Sequence, residues 1–249
     1  MSPLEGKRYW VIGASEGLGR EIAKGLVDAG AHVVLSARSG RGLQQLAWTL
    51  GAARPLVMDV TDAVSVADAV KNLGPIDGIV YNAGTYAPMR SQAWDSQAAL
   101  DMLDVNFSGA VRVLGHILPE FVAKESGDIT LIGSLAGYQG LPAAVGYGAS
   151  KAALISLAET MRHDLRGSGV TVRIVNPGFI KTRLTDKNDF AMPQLMPAEV
   201  AAQHVLRAMQ QRRFRTDFPR PFCWAIPRPF CWAIKALTLL PDWLVYRGK

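Results

Sequence analysis

The feature of this sequence that most limits its fold is a repeated alternation between short apolar runs and longer stretches with helical apolar spacing. The longer stretches include residues 17–29 and 147–165. The short runs predict buried parallel strands and lie at residues 9–12, 32–35, 55–58, 78–81, 129–132 and 170–175. Strand, helix and strand in repeated order predict an α/β fold, a doubly wound parallel sheet with helices on both faces. Right-handed crossovers then bring the carboxyl ends of the strands to one edge, where such sheets bind ligands.

Composition favours a single globular domain. The chain has 249 residues, of which 49% are hydrophobic and 19% charged, so it can bury a large core without disulfides or metals. This excludes a disordered chain and a disulfide scaffold. No Ser/Pro/Gly-rich linker divides residues 1–249, which we interpret as one domain. The four histidines fall in no ligand-spaced cluster, so no metal site is predicted.

Two features of the sequence bear on its location. The two cysteines, Cys223 and Cys231, have a spacing that matches neither a zinc motif nor a redox motif, so a reducing compartment is the simpler assumption. The first residues lead almost directly into an apolar strand, so no secretory signal is expected before Trp10. We therefore expect a cytoplasmic protein.

The positive charge of the chain is concentrated near its C-terminal end. Residues 207–249 hold nine basic and two acidic side chains, whereas the formal charge of the whole chain is +6. Within this basic, aromatic-rich segment, residues 219–226 are repeated at once as residues 227–234. Two copies do not make a repeat architecture, so a local duplication is favoured over a selected feature.

Three interpretations of the C-terminal segment stay open. It forms a helix packed on the domain or across a subunit interface, or it contacts a membrane surface peripherally, or it binds an acidic partner; the first is favoured. A transmembrane span is excluded because Lys235, Pro241 and Asp242 interrupt the apolar residues. No nucleic-acid recognition module is present, so no nucleic-acid partner is predicted.

A glycine-rich turn follows the first predicted strand and opens the first predicted helix. Glycines let backbone N–H groups approach a pyrophosphate, whose charge is also favoured by the positive end of the helix dipole. The turn therefore predicts a Rossmann-type dinucleotide site. Its predicted cofactor contacts are Gly13, Ser15, Gly17, Leu18 and Gly19. A plain strand-to-helix turn is the alternative, and Glu16 argues against phosphate binding because it places an anion near the phosphates.

The tip of the second predicted strand is expected to meet the adenosine ribose of the dinucleotide. A carboxylate there would accept hydrogen bonds from a free 2'-hydroxyl and repel a 2'-phosphate, and residues 36–39 contain none. Arg38 instead offers a planar, permanently charged fork of donors suited to phosphate, and Ser39 adds a hydroxyl. The sequence favours NADP(H) over NAD(H), with a solvated surface arginine as the alternative interpretation.

Tyr147 and Lys151 stand four residues apart at the start of a predicted helix, so both side chains project from one face. A free phenol has a pKa of about 10. A neighbouring ammonium is expected to lower that pKa toward neutrality, helped by the positive charge of an oxidised nicotinamide. Ser134 ends the fifth predicted strand, where its hydroxyl is placed to bond a substrate carbonyl. Such a pair is often only a surface pair, but the strand-end serine and the phosphate loop favour catalysis.

With these elements in this order, the sequence resembles the short-chain dehydrogenase/reductase family over residues 7–185. The motifs that carry the resemblance are Gly13-x-x-x-Gly17-x-Gly19, Asp59-Val60, Asn82-Ala83-Gly84, Asn106, Ser134, Tyr147-x-x-x-Lys151, Pro177-Gly178 and Thr182. Many relatives have threonine where this chain has Ile12 and asparagine where it has Tyr81. Hydrogen bonds in those two turns are therefore expected to differ.

The resemblance implies roles for individual residues. Asp59 and Val60 would hold the adenine, and Asn106 would hold a water that connects Lys151 to bulk solvent as a proton relay. The floor under the cofactor would be formed by Asn82, Ala83 and Gly84. The nicotinamide carboxamide and nearby phosphates would meet Ile180 and Thr182, which follow the further cofactor contacts Pro177 and Gly178. Family members are commonly dimers or tetramers, so a homo-oligomer is expected.

These roles combine into oxidoreductase chemistry, in which hydride passes between nicotinamide and a substrate carbon. Tyr147 donates or accepts the proton of the substrate oxygen, Ser134 orients that oxygen, and Lys151 tunes the phenol and anchors the ribose hydroxyls. The expected function is NADP(H)-dependent interconversion of a ketone or aldehyde and an alcohol. The alternative is a non-catalytic nicotinamide-binding regulatory or scaffold protein, but such a protein would be free to lose these three side chains.

The substrate is less well indicated than the chemistry. Residues 183–193 are expected to form a mobile lid of mixed character. An apolar pocket beneath it would favour a hydrophobic small molecule, although each candidate lining residue is at least as well explained by plain packing. The candidates are Tyr138, Phe179, Leu184, Phe190 and Met192.

Overall fold

A computed structural model describes residues 2–187 and 192–219 of the chain. Its strands are β1 Arg8–Ile12, β2 His32–Ser36, β3 Ala53–Pro55, β4 Gly78–Tyr81, β5 Gly127–Ile132, β6 Val170–Pro177, β7 Ile180–Lys181, β8 Met196–Pro197 and β9 Arg215–Phe218. Its α-helices are α1 Gly17–Asp28, α2 Gly40–Leu50, α3 Ala63–Lys71, α4 Ser96–Leu103, α5 Gly109–Ala123, α6 Val145–Asp164 and α7 Ala198–Met209. One turn of π-helix, Asp104–Ser108, joins α4 to α5.

Seven strands form one parallel sheet in the order β3-β2-β1-β4-β5-β6-β9. The chain runs outward from β1 to β3, returns across the sheet through α3, and runs outward again from β4. The strand order therefore reverses between β1 and β4, and the reversal opens a crevice at their carboxyl ends. This is the predicted doubly wound, Rossmann-type α/β fold, which the structure confirms.

The sheet is covered on both faces because alternate strand residues point to opposite sides. In β1, Val11 belongs to a core with helices α1, α2 and α7. Its neighbours Trp10 and Ile12 belong to a second core with α3, α5 and α6. All three side chains are buried, which explains why the strands of this chain are continuous apolar runs.

Two details of the sheet differ from the sequence prediction. The third strand is Ala53–Pro55 and not residues 55–58. It lies at the edge of the sheet, and beyond Pro55 only single bonds such as Leu56 N to the Leu35 carbonyl (2.8 Å) continue the pairing. The seventh strand of the sheet, β9, lies in the segment interpreted as a basic tail. Arg215-Thr216-Asp217-Phe218 has no apolar run to reveal it, and Phe218 is the residue it buries.

The duplicated octapeptide and both cysteines lie outside the described residues, apart from Pro219, as does most of the C-terminal segment. The interpretations of that segment are accordingly not addressed by the fold. Within residues 2–187 and 192–219, no helix is both long enough and apolar enough to cross a membrane.

Candidate active site

A cavity of about 1120 Å³ opens along the carboxyl ends of β1 to β6. It brings together most of the residues singled out in the sequence, from elements far apart along the chain. These are Gly13, Ser15, Gly17, Leu18, Arg38, Ser39, Asp59, Val60, Asn82, Ala83, Gly84, Ser134, Tyr147, Lys151, Pro177, Gly178, Ile180 and Thr182. Gly19 and Asn106 do not line the cavity, and both are buried behind its wall.

The glycine-rich turn is shaped by close backbone approaches. Gly13 has a φ of 83°, and a Cβ there would lie 2.6 Å from the Ala83 nitrogen. The Asn82 side chain donates a hydrogen bond to the Gly13 carbonyl at 2.9 Å, which ties the turn to the loop after β4. A Cβ at Gly19 would overlap that same carbonyl oxygen. Gly19 therefore acts through the packing of α1 against the turn, while Gly13 lines the cavity itself.

The acidic side chain of the turn is paired with a residue on the opposite rim. Glu16 precedes α1 without capping it, and its Oε1 lies 2.6 Å from Arg183 Nη2. Both side chains are largely exposed. The repulsion of phosphate expected from Glu16 is therefore opposed by a guanidinium that also lines the cavity.

The far end of the cavity carries one cation and one anchored carboxylate. Arg38 and Ser39 are both exposed after β2. Asp59 Oδ1 accepts hydrogen bonds from the backbone nitrogen of Thr61 at 2.9 Å and from its hydroxyl at 2.7 Å. Burial opposes ionisation of Asp59, but the Thr61 hydrogen bonds and the Arg38 charge outweigh it, so the pKa of Asp59 is lowered. The carboxylate is ionised and fixed in place.

Tyr147 and Lys151 lie one turn apart near the start of α6 and face the cavity together. Lys151 is only 4% exposed. Its Nζ donates a hydrogen bond to the Ile132 carbonyl at 2.8 Å and lies 5.7 Å from the centre of the Tyr147 ring. Burial lowers the pKa of Lys151 to about 8. The lysine is therefore a buried ammonium that titrates near the physiological range.

The lowered phenol pKa expected for Tyr147 is not found. Burial raises the pKa of Tyr147, and a hydrogen bond with the Ser134 side chain only partly offsets that effect. The ammonium of Lys151 is directed at the Ile132 carbonyl, which explains why it does not reverse the effect of burial. The phenol is protonated at neutral pH, and the Ser134 side chain lies within hydrogen-bonding reach of it.

Asn106 lies in the π-helical turn and is fully buried. Its Oδ1 accepts a hydrogen bond from the Thr85 nitrogen at 2.7 Å. Its Nδ2 donates to the Thr85 carbonyl at 3.1 Å and to Ser150 Oγ at 2.9 Å. Ser150 Oγ in turn donates to the Tyr147 carbonyl at 2.8 Å. The side chain of Asn106 thus connects the loop after β4 to the first turn of α6, where the tyrosine stands.

Comparisons with known proteins agree with this geometry. The family model for short chain dehydrogenases matches residues 7–192. The chain belongs to this family. It is 34% identical to an uncharacterized oxidoreductase of Myxococcus xanthus, over 88% of this chain and 90% of that protein. It is also 34% identical to the 3-oxoacyl-acyl-carrier-protein reductase of Salmonella typhimurium, over 73% of this chain and 77% of that protein.

Solved structures give the same family. A short-chain dehydrogenase from Burkholderia cenocepacia, in complex with NADP, has a TM-score of 0.83 and 26% identity. The alignment covers 97% of this chain and 100% of that one. This chain is therefore an NAD(P)-dependent short-chain dehydrogenase/reductase, and the oxidoreductase class predicted from its motifs is confirmed.

An apolar cluster behind the cavity of this short-chain dehydrogenase was not predicted from the sequence; of its residues, only Tyr147 and Leu184 line the cavity. Tyr86 packs its ring edge-on against Tyr147, with 5.1 Å between ring centres and an interplanar angle of 70°. Met89 and Met102 complete a small apolar cluster that Leu184 joins from the expected lid. Residues of this type carry no motif, because their role depends on which loops meet at the sheet edge.

Of the candidate lining residues named from the sequence, Leu184 lines the cavity, but the other described ones do not. Tyr138 is not among the cavity residues and instead donates a hydrogen bond to Asp217 Oδ1 at 2.6 Å. Phe179 and Met192 do not line the cavity either, and Phe190 lies outside the described residues.

The part of the chain that the structure describes contains no candidate metal site. No group of three or more His, Cys, Asp and Glu side chains there is arranged to hold an ion.

Proposed function

We propose that this short-chain dehydrogenase/reductase interconverts a ketone or aldehyde and an alcohol with NADP(H). The observation that carries the proposal is the pair of buried Lys151 and half-buried Tyr147, which shares one cavity with Ser134 and with the glycine-rich turn. Burying a lysine ammonium to this degree lowers the stability of the folded protein. Its retention beside a phenol favours an enzyme over a regulatory or scaffold protein that keeps the fold without turnover.

The residues of the cavity fit a nicotinamide dinucleotide. The turn at Gly13 and Gly17 has positive φ angles, and its glycines let backbone donors approach phosphate. The remaining proposed contacts are Ser15, Leu18, Arg38, Ser39, Asp59, Val60, Asn82, Ala83, Gly84, Tyr147, Lys151, Pro177, Gly178, Ile180 and Thr182, with Gly19 acting through packing. When bound, the dinucleotide supplies or takes up the hydride.

The preference for NADP(H) rests on the end of β2. Arg38 is exposed at the cavity, and residues 36–39 contain no carboxylate that would repel a 2'-phosphate. Asp59 is near enough to Arg38 for its pKa to be affected, so the guanidinium lies at the end of the cavity assigned to the adenosine. The NADP held by the Burkholderia cenocepacia relative supports the same cofactor.

The protein side chains would handle the proton of the substrate oxygen. Tyr147 is protonated at neutral pH, which is the form that donates a proton to a carbonyl during reduction. Ser134, within hydrogen-bonding reach of the phenol, orients the same oxygen. Lys151 would anchor the cofactor ribose and favour the phenolate that remains after proton transfer. Asn106, by the family resemblance, serves the relay that restores the proton through Lys151.

The proposed substrate is a hydrophobic carbonyl compound or alcohol. Leu184 lines the cavity together with Tyr147, and both pack against the buried apolar cluster of Tyr86, Met89 and Met102. This side of the cavity therefore favours an apolar group. The similarity to a 3-oxoacyl-acyl-carrier-protein reductase supports a carbonyl on an aliphatic chain.

We also propose a single-domain subunit that assembles as a homo-dimer or homo-tetramer. Leu100 on α4 and Val111 and Val122 on α5 are 58%, 44% and 42% exposed, and apolar side chains of this size on adjacent helices favour a subunit contact. A cytoplasmic location is proposed from the low cysteine content alone. Peripheral lipid contact through the C-terminal segment remains the secondary proposal for residues 220–249.

The decisive experiment is a panel of ketones, aldehydes and alcohols followed at the absorbance of reduced nicotinamide, with NADPH and NADH run side by side. We expect reduction of apolar ketones or aldehydes, with a higher kcat/KM for NADPH. Tight NADPH binding without turnover of any compound would favour the regulatory or scaffold alternative. A higher kcat/KM with NADH would contradict the role given to Arg38.

A further inference from the structure

The π-helical turn between α4 and α5 leaves one backbone carbonyl without its usual helical partner. In a regular α-helix, the Gly109 N–H would bond the carbonyl four residues back, that of Val105. Here the Gly109 N–H bonds the Asp104 carbonyl, five residues back. The Val105 carbonyl therefore loses its usual helical donor and can accept a hydrogen bond from another element.

The donor is the hydroxyl of Tyr81, the last residue of β4. It donates to the Val105 carbonyl at 2.7 Å, and the tyrosine side chain is fully buried. Tyr81 stands where many members of the family have asparagine. The hydrogen bond links the central strand β4 to the π-helical turn.

Gly109 provides the room that this hydroxyl needs. A Cβ at Gly109 would lie 2.5 Å from the Tyr81 oxygen. A side chain at position 109 would displace the tyrosine from the Val105 carbonyl. Tyr81 and Gly109 are therefore matched to each other across the gap between β4 and α5.

We propose that Tyr81 is a positioning residue that sets the place of Asn106. Val105 directly precedes Asn106, so the bond from Tyr81 holds one side of the π-helical turn. The bonds of Asn106 to Thr85 and Ser150 hold the other side. The inference rests on the proposed function, because it acts through the relay role of Asn106 next to Lys151.

The geometry near Lys151 explains why such placement matters. A Cβ at Gly84 would lie 3.5 Å from Asn106 Oδ1 and 3.8 Å from Lys151 Nζ. The asparagine oxygen and the lysine ammonium therefore both lie close to the same glycine. A shift of the π-helical turn by a fraction of a bond length would change their separation directly.

The test compares Tyr81→Phe with Tyr9→Phe as a matched control. Each substitution removes only a hydroxyl from a buried tyrosine in a neighbouring central strand, and Tyr9 bonds Asp128 at the opposite end of the sheet, at 3.1 Å. Both variants are expected to fold and to bind NADPH as the wild type does. Tyr81→Phe is expected to lower kcat about tenfold. This loss is smaller than the roughly 10²- to 10⁴-fold contribution of general acid–base catalysis, because the proton donor itself is kept. Its KM should stay within about twofold, and its pH profile of kcat should shift.

Two further measurements separate positioning from plain stabilisation. Amide hydrogen exchange of residues 104–110 is expected to be faster in Tyr81→Phe and unchanged in Tyr9→Phe. In the double variant Tyr81→Phe/Asn106→Ala, kcat is expected to equal that of Asn106→Ala alone, because Tyr81 acts through Asn106.

Unchanged exchange in the π-helical turn would overturn the inference, and so would a kcat and pH profile equal to those of Tyr9→Phe. Fully additive losses in the double variant would also overturn it. A wild type without turnover would refute the proposed function instead. In that case the exchange measurement alone would decide whether Tyr81 holds the turn.

Discussion

Lys151 Nζ lies 5.7 Å from the centre of the Tyr147 ring while it donates a hydrogen bond to the Ile132 carbonyl at 2.8 Å. The ammonium is thus held by the sheet and not by the phenol. Its burial lowers the pKa of Lys151 to about 8, and burial raises the pKa of Tyr147. The two groups are poised for opposite tasks, a phenol that keeps its proton until substrate arrives and an amine that changes protonation near neutral pH.

The first prediction concerns the phenol. Tyr147→Phe is expected to lower kcat at least about 100-fold, because general acid–base catalysis contributes roughly 10²- to 10⁴-fold. NADPH affinity should change little, since the ring and the cavity wall are kept. Steady-state kinetics and a fluorescence titration with NADPH measure the two quantities. Tyr9→Phe serves as the control, and a Tyr147→Phe enzyme with unchanged turnover would exclude this residue as the proton donor.

The second prediction concerns the stability cost of the buried ammonium. The pKa of Lys151 falls from 10.5 to about 8 on folding, which corresponds to a cost of about 3 kcal/mol. Replacing the lysine by methionine removes this cost but also a hydrogen bond worth about 1 kcal/mol. Lys151→Met is therefore expected to raise the free energy of unfolding by about 2 kcal/mol at neutral pH while it abolishes turnover.

The stability difference between Lys151→Met and the wild type is expected to depend on pH. Between pH 8 and 10.5 the unfolded chain holds the Lys151 proton more tightly than the folded protein does, so wild-type stability rises with pH across that window. The gain from Lys151→Met is thus full below pH 8 and closes toward pH 10.5. Denaturant unfolding at several pH values measures it. Lys71→Met, at an exposed lysine on α3, is the control. A Lys151→Met protein that is less stable than the wild type would show that burying the ammonium carries no net cost.

The third prediction concerns the choice of cofactor. Arg38→Ala is expected to raise the KM for NADPH at least about tenfold, because a charge-assisted bond to phosphate is worth roughly 1.5–3 kcal/mol. The KM for NADH, which lacks the 2'-phosphate, should stay nearly unchanged. Arg41→Ala is the matched control, since Arg41 is an exposed arginine on α2 that does not line the cavity. Equal losses with both cofactors would show that Arg38 does not read the 2'-phosphate.

The features that can be predicted from the sequence are those that depend on spacing within a short segment. The turn at Gly13 and Gly17, and the pair of Tyr147 and Lys151, are each set by local backbone geometry, so their types and intervals identify them. The doubly wound α/β fold follows in the same way from apolar runs that must be buried on both faces. These features are readable without knowing what packs against them.

The remaining parts of the site depend on contacts between distant segments. The apolar cluster around Tyr86 forms only because the loop after β4 meets α6. The hydrogen bond from Tyr81 to Val105 depends on a π-helical turn that no residue pattern announces. The raised pKa of Tyr147 depends on the segments that pack around its ring, because their burial of the phenol opposes its ionisation. Sequence spacing predicts neighbours, whereas these properties come from the three-dimensional surroundings of each group.

The fourth prediction concerns the ion pair across the mouth of the cavity. Arg183 Nη2 lies 2.6 Å from Glu16 Oε1, and the side chains are 76% and 51% exposed. Such a pair adds little to stability, but it screens a carboxylate that stands beside the proposed pyrophosphate. Arg183→Ala is expected to weaken NADPH binding about three- to tenfold at low ionic strength, because an unscreened anion then faces the phosphates.

The matched variants for this prediction remove the negative charge of Glu16. Glu16→Gln alone is expected to leave NADPH affinity equal to or above that of the wild type. The double variant Glu16→Gln/Arg183→Ala is expected to recover most of the affinity that Arg183→Ala loses. High salt should shrink all the differences, since both side chains are exposed. If Arg183→Ala weakens binding equally with glutamate or glutamine at position 16, then Arg183 contacts the phosphates directly and does not act by neutralising Glu16.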